Sequence, residues 1–215
     1  MPRTLRSPDR VARILFEIGV VKFEPTVLKS GAVSPIFINL RTTDNPKPGP
    51  LNQSAVDLIA ELLLQKAMRA RLTYKHIAGI PNTGTPLASA FARKLHFGYN
   101  PLITLGKSGS GETRSISGIE SGSFKKGDTV LLIDDVVGTA ASKFEAIGVL
   151  ESVGLVIKDI LVVVDRTEGG AEELHRKGYT THALYNLRKL LQLYEDTRKI
   201  THEQHSEVLA YLATC

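Results

Sequence analysis

The stretch that decides the fold is Thr129-Val-Leu-Leu-Ile-Asp-Asp-Val-Val-Gly-Thr-Ala-Ala-Ser142. The four apolar residues after its first position predict a strand that is covered on both faces by helices. Two adjacent carboxylates, Asp134 and Asp135, come where this strand should end. A short segment of small residues then leads into a helical pattern over 143–153, which Gly154 closes.

This order of strand, acids and helix suits a sugar phosphate. Open α/β sheets bind ligands at the carboxyl ends of their strands, where a helix N-terminus offers N–H groups and a positive dipole end to a phosphate. Carboxylates at the same edge can accept hydrogen bonds from vicinal hydroxyl groups. The alternative interpretation is a solvated turn that merely ends a buried strand, because acidic residues are common in turns.

The same stretch resembles the ribose-5-phosphate motif of the type I phosphoribosyltransferases, in which two acids and two apolar residues precede a loop rich in Thr, Ser and Gly. The resemblance implies that 5-phosphoribosyl-1-pyrophosphate (PRPP) binds here. It also implies the cofactor Mg²⁺, held mainly by PRPP and not by protein side chains. Asp134 and Asp135 are the catalytic candidates. The residues of the motif that are predicted to bind PRPP are Asp134, Asp135, Val136, Val137, Gly138, Thr139, Ala140, Ala141 and Ser142.

The composition limits the class of protein to which this chain can belong. A chain of 215 residues with 42% hydrophobic content can bury a full core. Its net charge of +5 is carried by scattered Lys and Arg residues, which favours a solvated surface and an anionic substrate over nucleic acid. The single cysteine, Cys215, excludes an internal disulfide and fits a reducing compartment. No apolar run approaches the ~20 residues of a membrane span and no signal-peptide core is present, so we expect a cytoplasmic protein without membrane contact.

Residues 21–41 predict two strands joined around Gly31. This segment resembles the N-terminal hood of the orotate phosphoribosyltransferases, which join orotate to PRPP and release orotidine 5′-monophosphate and pyrophosphate. The resemblance implies that Lys22, Phe37 and Ile38 bind orotate, with Lys22 against an anionic edge and Phe37 against the ring. For Lys22 or Phe37 alone, an ordinary half-buried hairpin with a surface lysine is the simpler interpretation.

A second buried strand, over 76–80, is followed by the loop Pro81-Asn-Thr-Gly-Thr-Pro86 and a helix over 87–95. This unit resembles the pyrophosphate loop of the family. Thr83 and Gly84 are therefore predicted to bind PRPP through backbone N–H groups. Many family members carry Lys at the Thr83 position, so the match is partial. His76, at the start of the strand, is predicted to be structural or on the surface.

Leu102-Ile103 predicts a short edge strand, and the polar segment over 106–122 predicts a long loop. In the family this region is a mobile catalytic loop that reaches the neighbouring subunit, which implies a homodimer. Lys107 matches one of the loop's basic positions. It is the third catalytic candidate and a further PRPP-binding candidate. The usual catalytic lysine falls on Ser110, where the sequence departs from the family.

Arg166 follows another buried strand, over 158–164. The family has a similar Asp-Arg strand end, so Arg166 is predicted to bind the orotate carboxylate through its guanidinium fork. A salt bridge with Asp165 or Glu168 is the alternative interpretation.

Strands and helices alternate over 51–184, which predicts an α/β fold with a mostly parallel central sheet and helices on both faces. By resemblance this is the type I phosphoribosyltransferase fold with a small N-terminal β-hairpin hood. We expect a single domain over 1–215, with the hood at about 20–45, the core at about 51–184 and C-terminal helices at about 186–213.

The resemblance implies a glycosyltransferase that moves the 5-phosphoribosyl group from PRPP to orotate in pyrimidine (UMP) biosynthesis. Two departures keep an alternative open. Gly138 stands where the family usually has Thr, and Ala140 stands where it has Gly. An alanine there requires a negative φ. The alternative is a non-catalytic or altered-base protein of the same fold that binds PRPP or a nucleotide.

Overall fold

The structure, a computed structural model, describes residues 8–27, 31, 33–95, 98–109 and 115–214. Its first elements are one helix and a small antiparallel hairpin. They are α1 (Pro8–Glu17), β1 (Val21–Lys22), β2 (Thr26–Val27), β3 (Val33–Ser34) and β4 (Phe37–Ile38). Strand β1 pairs with β4 and β2 pairs with β3, both antiparallel, so the predicted hairpin around Gly31 is confirmed in an interrupted form.

Strands and helices alternate in the rest of the chain. They are α2 (Gln53–Arg69), β5 (His76–Gly79), α3 (Gly84–Arg93), β6 (Leu102–Ser108), β7 (Ser115–Ser121), β8 (Thr129–Val137), α4 (Ala141–Ser152), β9 (Val156–Asp165), α5 (Gly170–Arg176), β10 (Thr180–Asn186), α6 (Leu187–Asp196) and α7 (His202–Leu212). One sheet has the strand order β10-β9-β8-β5-β6-β7. All its pairs are parallel except β6 with β7. The predicted, mostly parallel sheet is therefore confirmed.

Strand β8 lies inside this sheet, and its side chains alternate between two apolar layers. Leu131 and Ile133 belong to the layer that includes residues of α1, α2, α3 and α6. Val130 and Leu132 belong to the layer on the opposite face, with residues of α4. All four are buried, and burial of each such side chain contributes about 1.5–3 kcal/mol. The continuous apolar run is therefore explained by two covered faces.

Strand β8 does not end at the two acids, as the sequence had suggested. Val136 and Val137 still pair with Val164 and Asp165 of β9. The side chain of Val137 is fully buried, and β-branched residues of this kind favour a pleated, covered strand. The acids therefore lie inside the last part of the strand, where sheet hydrogen bonds fix their backbone.

The segment over 102–122 differs most from the prediction. Strand β6 continues to Ser108 and lies between β5 and β7, so the predicted edge strand at Leu102-Ile103 was wrong. Much of the predicted polar loop is the hairpin arm formed by β6 and β7. Strand β7 is the edge strand on this side of the sheet, and its mostly exposed side chains explain its polar composition. Ser110 falls in 110–114, outside the described residues.

Two tyrosines fasten α1 to a much later part of the chain. The hydroxyl of Tyr185 donates a 2.8 Å hydrogen bond to the carbonyl of Pro8, and that of Tyr194 donates a 2.9 Å bond to the carbonyl of Ala12. Tyr194 is fully buried, and burial raises the pKa of its hydroxyl group. Because a buried hydroxyl group needs a partner, these bonds fix where α1 packs.

Helix α2, with 17 residues, is the longest in the described chain. The side chain of Asn52 caps its start by accepting a hydrogen bond from the N–H of Ala55. Among the residues that the structure describes, no helix has the length and apolar character needed to cross a membrane.

Asp128, in the turn before β8, accepts three hydrogen bonds. They come from Nζ of Lys75 at 2.8 Å, Nε2 of His76 at 2.9 Å and the N–H of Lys125 at 2.8 Å. These bonds, with those from Lys75 and His76 the strongest, hold the pKa of Asp128 well below its usual range. His76 is itself buried, which agrees with the structural place predicted for it.

We expect Asp128→Asn to lower the melting temperature at about pH 7. A carboxyl group whose pKa is lowered by folding stabilises the protein above its unfolded pKa of about 4, and this contribution is lost as the pH falls through the folded pKa. The difference in melting temperature between variant and wild type should therefore shrink in acid. Circular dichroism melts between about pH 7 and pH 2.5 would measure it, and a constant difference would contradict the assignment.

Candidate active site

A cavity of about 370 Å³ opens at the carboxyl ends of β5 and β8, next to the segment after β4. Carboxyl ends of parallel strands meet at one edge of a sheet, so distant parts of the sequence converge there. The predicted site residues that line the cavity are Ile38, Thr83, Lys107, Asp134, Asp135, Val136 and Ser142. Those that do not line it are Lys22, Phe37, Gly84, Val137, Gly138, Thr139, Ala140, Ala141 and Arg166.

The two adjacent acids have different surroundings. Asp134 is 4% exposed, and its Oδ2 lies 2.6 Å from Nζ of Lys143. Asp135 is partly buried, and its Oδ1 accepts a 2.9 Å hydrogen bond from the N–H of Val136. Burial and then the negative charge of Asp134 raise the pKa of Asp135 to about 7, although Lys143 opposes this rise. Asp134 is thus already paired with a cation, whereas Asp135, whose pKa lies near 7, has no ion pair among the described residues.

Lys143 is the cavity residue that sequence reasoning missed most clearly. It lies on the first turn of α4 and is only 3% exposed. Its Nζ contacts Asp134, donates a short hydrogen bond to the carbonyl of Val136 and lies 3.5 Å from Oγ of Ser142. One signal was available, because a helix dipole disfavours a lysine in the first turn.

The loop after β5 approaches β8 closely. A Cβ atom on Gly84 would lie 2.5 Å from the carbonyl oxygen of Ile133, so only glycine fits there. Helix α3 begins at Gly84 and not at the predicted residue 87, so Thr83 directly precedes its first turn. Nζ of Lys107 donates a 3.2 Å hydrogen bond to the carbonyl of Pro81, which ties β6 to this loop.

The segment between β8 and α4 has the conformation that its composition requires. Ala140 has a φ of −87°, so the condition for an alanine at this position is met. A Cβ atom on Gly138 would lie 2.5 Å from Oε2 of Glu168, so a threonine here would require the Glu168 side chain to move. Helix α4 begins at Ala141, so its first N–H groups lie beside Ser142 at the cavity wall.

The hood pairs two of the orotate candidates with each other and contacts a third. Lys22 and Phe37 are partners in the β1–β4 ladder, which puts their side chains on one face. Arg166 is buried, and its Nη2 donates a 3.1 Å hydrogen bond to Oγ of Ser34 on β3. The same nitrogen lies 2.8 Å from Oε1 of Glu168, so one of the two predicted alternative salt bridges is present.

Five further polar residues line the cavity, and none was predicted as a site residue: Asn39, Arg41, Asn45, Lys47 and Asn82. Asn39 and Arg41 lie two positions apart on the segment after β4, and both line the cavity. This spacing was readable from the sequence. Arg41 and Lys47, with Lys107 and Lys143, give the cavity four cationic side chains, which suits an anionic ligand.

The described residues do not build a metal site of their own. Within the described ranges, no group of three or more His, Cys, Asp or Glu could hold a metal ion. Asp134 is tied to Lys143 and is therefore a poor ligand.

Comparisons with known proteins agree with this architecture. Residues 51–181 match the family model of the phosphoribosyl transferase domain. The orotate phosphoribosyltransferase of Thermococcus gammatolerans is 32% identical over 194 residues, which cover 90% of this chain and 97% of that protein. The uridine 5′-monophosphate synthase of Bos taurus is 33% identical over 200 residues, which cover 92% of this chain and 39% of that protein.

A solved structure gives the same result. The UMP synthase of Leishmania donovani superposes with a TM-score of 0.81 and 32% identity, covering 98% of this chain and 43% of that one. The chain thus spans about two fifths of the UMP synthases that it matches. The predicted fold is confirmed by the family model and by the sheet order. The chain therefore belongs to the phosphoribosyltransferase family, and within it to the orotate phosphoribosyltransferases.

Proposed function

We propose that this chain transfers the 5-phosphoribosyl group from PRPP to orotate, giving orotidine 5′-monophosphate and pyrophosphate for UMP biosynthesis. The observation that carries the proposal is the cavity at the strand ends, which holds the cationic side chains of Arg41, Lys47 and Lys107 and, beside the Lys143–Asp134 ion pair, the carboxyl group of Asp135. This combination suits a ligand with phosphate groups and ribose hydroxyl groups. Identity of 32% to an orotate phosphoribosyltransferase across 90% of the chain supports orotate as the base.

Different groups of residues bind the different parts of PRPP and orotate. Asp135 accepts hydrogen bonds from the ribose hydroxyl groups, while Asp134 stays paired with Lys143 beside it. The N-terminus of α4 and the hydroxyl of Ser142 hold the 5′-phosphate. The backbone N–H groups of Thr83 and of the first turn of α3 bind the pyrophosphate group. Orotate binds between the hood and Arg166, whose guanidinium fork matches a carboxylate.

The reaction requires positioning and charge stabilisation more than covalent help. The bond from the anomeric carbon to pyrophosphate breaks, positive charge develops on the ribose, and an orotate nitrogen forms the new bond at that carbon. Lys107 faces the negative charge that develops on the leaving group, and Asp135 faces the ribose.

We propose Mg²⁺ as the cofactor, held by the oxygen atoms of PRPP. The described residues offer no ligand set of their own, which supports a metal that arrives with the substrate. When bound, Mg²⁺ would neutralise the charge of the pyrophosphate group.

A direct assay tests the function. The protein is mixed with orotate, PRPP and Mg²⁺, and the fall in orotate absorbance is followed. We expect turnover that stops on addition of EDTA and is far slower with uracil. Equal use of uracil would indicate another base specificity. PRPP binding without turnover on either base would favour the non-catalytic alternative, to which the departures at Gly138 and Ala140 point.

Lys107 provides a prediction about the chemical step. Its Nζ lies at the cavity, 3.2 Å from the carbonyl of Pro81 on the loop assigned to pyrophosphate. We expect Lys107→Ala to lower kcat by roughly tenfold, which corresponds to about 1.4 kcal/mol of transition-state stabilisation, with little change in the affinity for PRPP. Steady-state kinetics would check this. Lys189→Ala, an exposed change on α6, is the matched control, and an unchanged kcat in Lys107→Ala would remove the role.

We also propose a homodimer that works in the cytoplasm. The family's loop acts across a subunit interface, which supports the dimer. A single cysteine fits a reducing compartment. Light scattering that gives a fully active monomer of 23.4 kDa at micromolar concentration would exclude the dimer. Cell fractionation would test the location.

A further inference from the structure

We propose that Lys143 is a positioning residue for PRPP: it neutralises Asp134 and thereby leaves Asp135 as the carboxylate that the substrate engages. This inference rests on the proposed function, because it concerns how the same cavity recognises the ribose of PRPP. It deepens that function by giving the two adjacent acids different tasks.

The contacts of Lys143 point to positioning and not to direct contact with the ligand. An ammonium group has three N–H donors. Here its neighbours are Oδ2 of Asp134 at 2.6 Å, the carbonyl of Val136 and Oγ of Ser142 at 3.5 Å. These partners surround the ammonium group, and the side chain of Lys143 is only 4% exposed. Its charge therefore acts through Asp134 and through the backbone beside Asp135.

Stability alone does not account for a lysine at this position. Transfer of an ammonium group from water into the protein costs several kcal/mol, and a buried ion pair usually regains little more than well-packed apolar residues would. The positive end of the α4 dipole adds a further cost to a cation in the first turn. An apolar residue would pack against the neighbouring core at a lower cost in free energy. The positive charge of Lys143 therefore requires an explanation other than stability.

Electrostatics at the cavity supply that reason. Two adjacent ionised carboxyl groups repel each other, and partial burial strengthens the repulsion. The ammonium group of Lys143 cancels the charge of Asp134 at a distance of 2.6 Å. Lys143 also opposes the rise in the pKa of Asp135, which favours the ionised form as the acceptor for ribose hydroxyl groups. The bond from Lys143 to the carbonyl of Val136 also fixes the backbone that follows Asp135.

A four-variant cycle tests the inference. The affinity for PRPP with Mg²⁺ is measured by calorimetry for the wild type, Lys143→Met, Asp134→Asn and the double variant. We expect each single change to weaken binding at least about tenfold, because one leaves two repelling acids and the other leaves a cation that draws Asp135 away. The double variant should bind within about threefold of the wild type, since neither unbalanced charge is present.

Lys189→Met, which removes an exposed lysine from α6, is the control and should bind as the wild type does. A double variant weaker than both single variants would mean that Lys143 or Asp134 touches the ligand directly, and it would overturn the inference. Equal binding by all four proteins would reduce Lys143 to a packing role and also overturn it. Should a single variant fail to fold, the double variant alone decides, because it must still bind PRPP. Failure of the wild type to bind PRPP would instead refute the proposed function.

Discussion

Asp135→Asn should give the largest loss of PRPP affinity among single changes at the cavity. The substitution keeps the shape of the side chain and removes its charge. A hydrogen bond to a charged group contributes about 1.5–3 kcal/mol, so the dissociation constant should rise about 10- to 150-fold. The effect should be large because Asp134 cannot replace it: its carboxylate already faces Lys143 at 2.6 Å.

Calorimetry with PRPP and Mg²⁺ would measure this change. Asp196→Asn is the matched control, because that carboxylate is exposed on α6 and accepts a 2.9 Å hydrogen bond from Gln192. The control should leave the affinity unchanged. Equal binding of PRPP by Asp135→Asn and the wild type would show that the ribose hydroxyl groups do not use this carboxylate.

Arg166→Met should damage both stability and the use of orotate. Arg166 and Glu168 form a buried pair, with side-chain exposures of 8% and 10%. Removing one member of such a pair typically costs about 3–5 kcal/mol, because the other charge is left buried without a partner. Burial already raises the pKa of Glu168, and Arg166 opposes this rise. Without Arg166 the pKa rises further, so the loss of stability should shrink as the pH falls and Glu168 takes up a proton.

A second variant separates the two effects of Arg166. In Arg166→Met/Glu168→Gln no charge remains buried, so most of the free energy of unfolding should return. Use of orotate should not return, because the guanidinium fork is still absent. Urea denaturation would measure the first quantity, and KM values for orotate and PRPP the second. A double variant with a normal KM for orotate would refute the assignment of Arg166 to the base.

Local patterns in the sequence were enough to predict the centre of the fold. The apolar run before Asp134 indicates a strand that is buried on both faces. The small residues that follow, together with Gly154, indicate a helix and its end. The structure places that strand between two parallel neighbours and shows Gly154 with a positive φ of 83°. These features depend on residues close in sequence, so a single sequence reveals them.

The misplaced features depend on partners that are distant in sequence. The polar residues over 115–121 form a strand because β6 pairs with them, and no local apolar pattern reports that pairing. Ser34 meets Arg166 across 132 positions. The first-turn position of Lys143 is unusual for a lysine, but its partner Asp134 is revealed only by the structure. Tertiary contacts of this kind override local propensity.

The tyrosine bonds from Tyr185 and Tyr194 to α1 have a consequence for the order of assembly during synthesis. The carbonyl groups of Pro8 and Ala12 meet their partners 177 and 182 positions later. Ribosomes add about 5–20 residues each second. Synthesis of the two tyrosines therefore follows that of α1 by roughly ten seconds or more. Contacts between such distant residues also form slowly because a long loop must close. The hood follows α1 directly and supplies Ser34 to Arg166, so the contact between the hood and the end of β9 should be among the last parts of the protein to form.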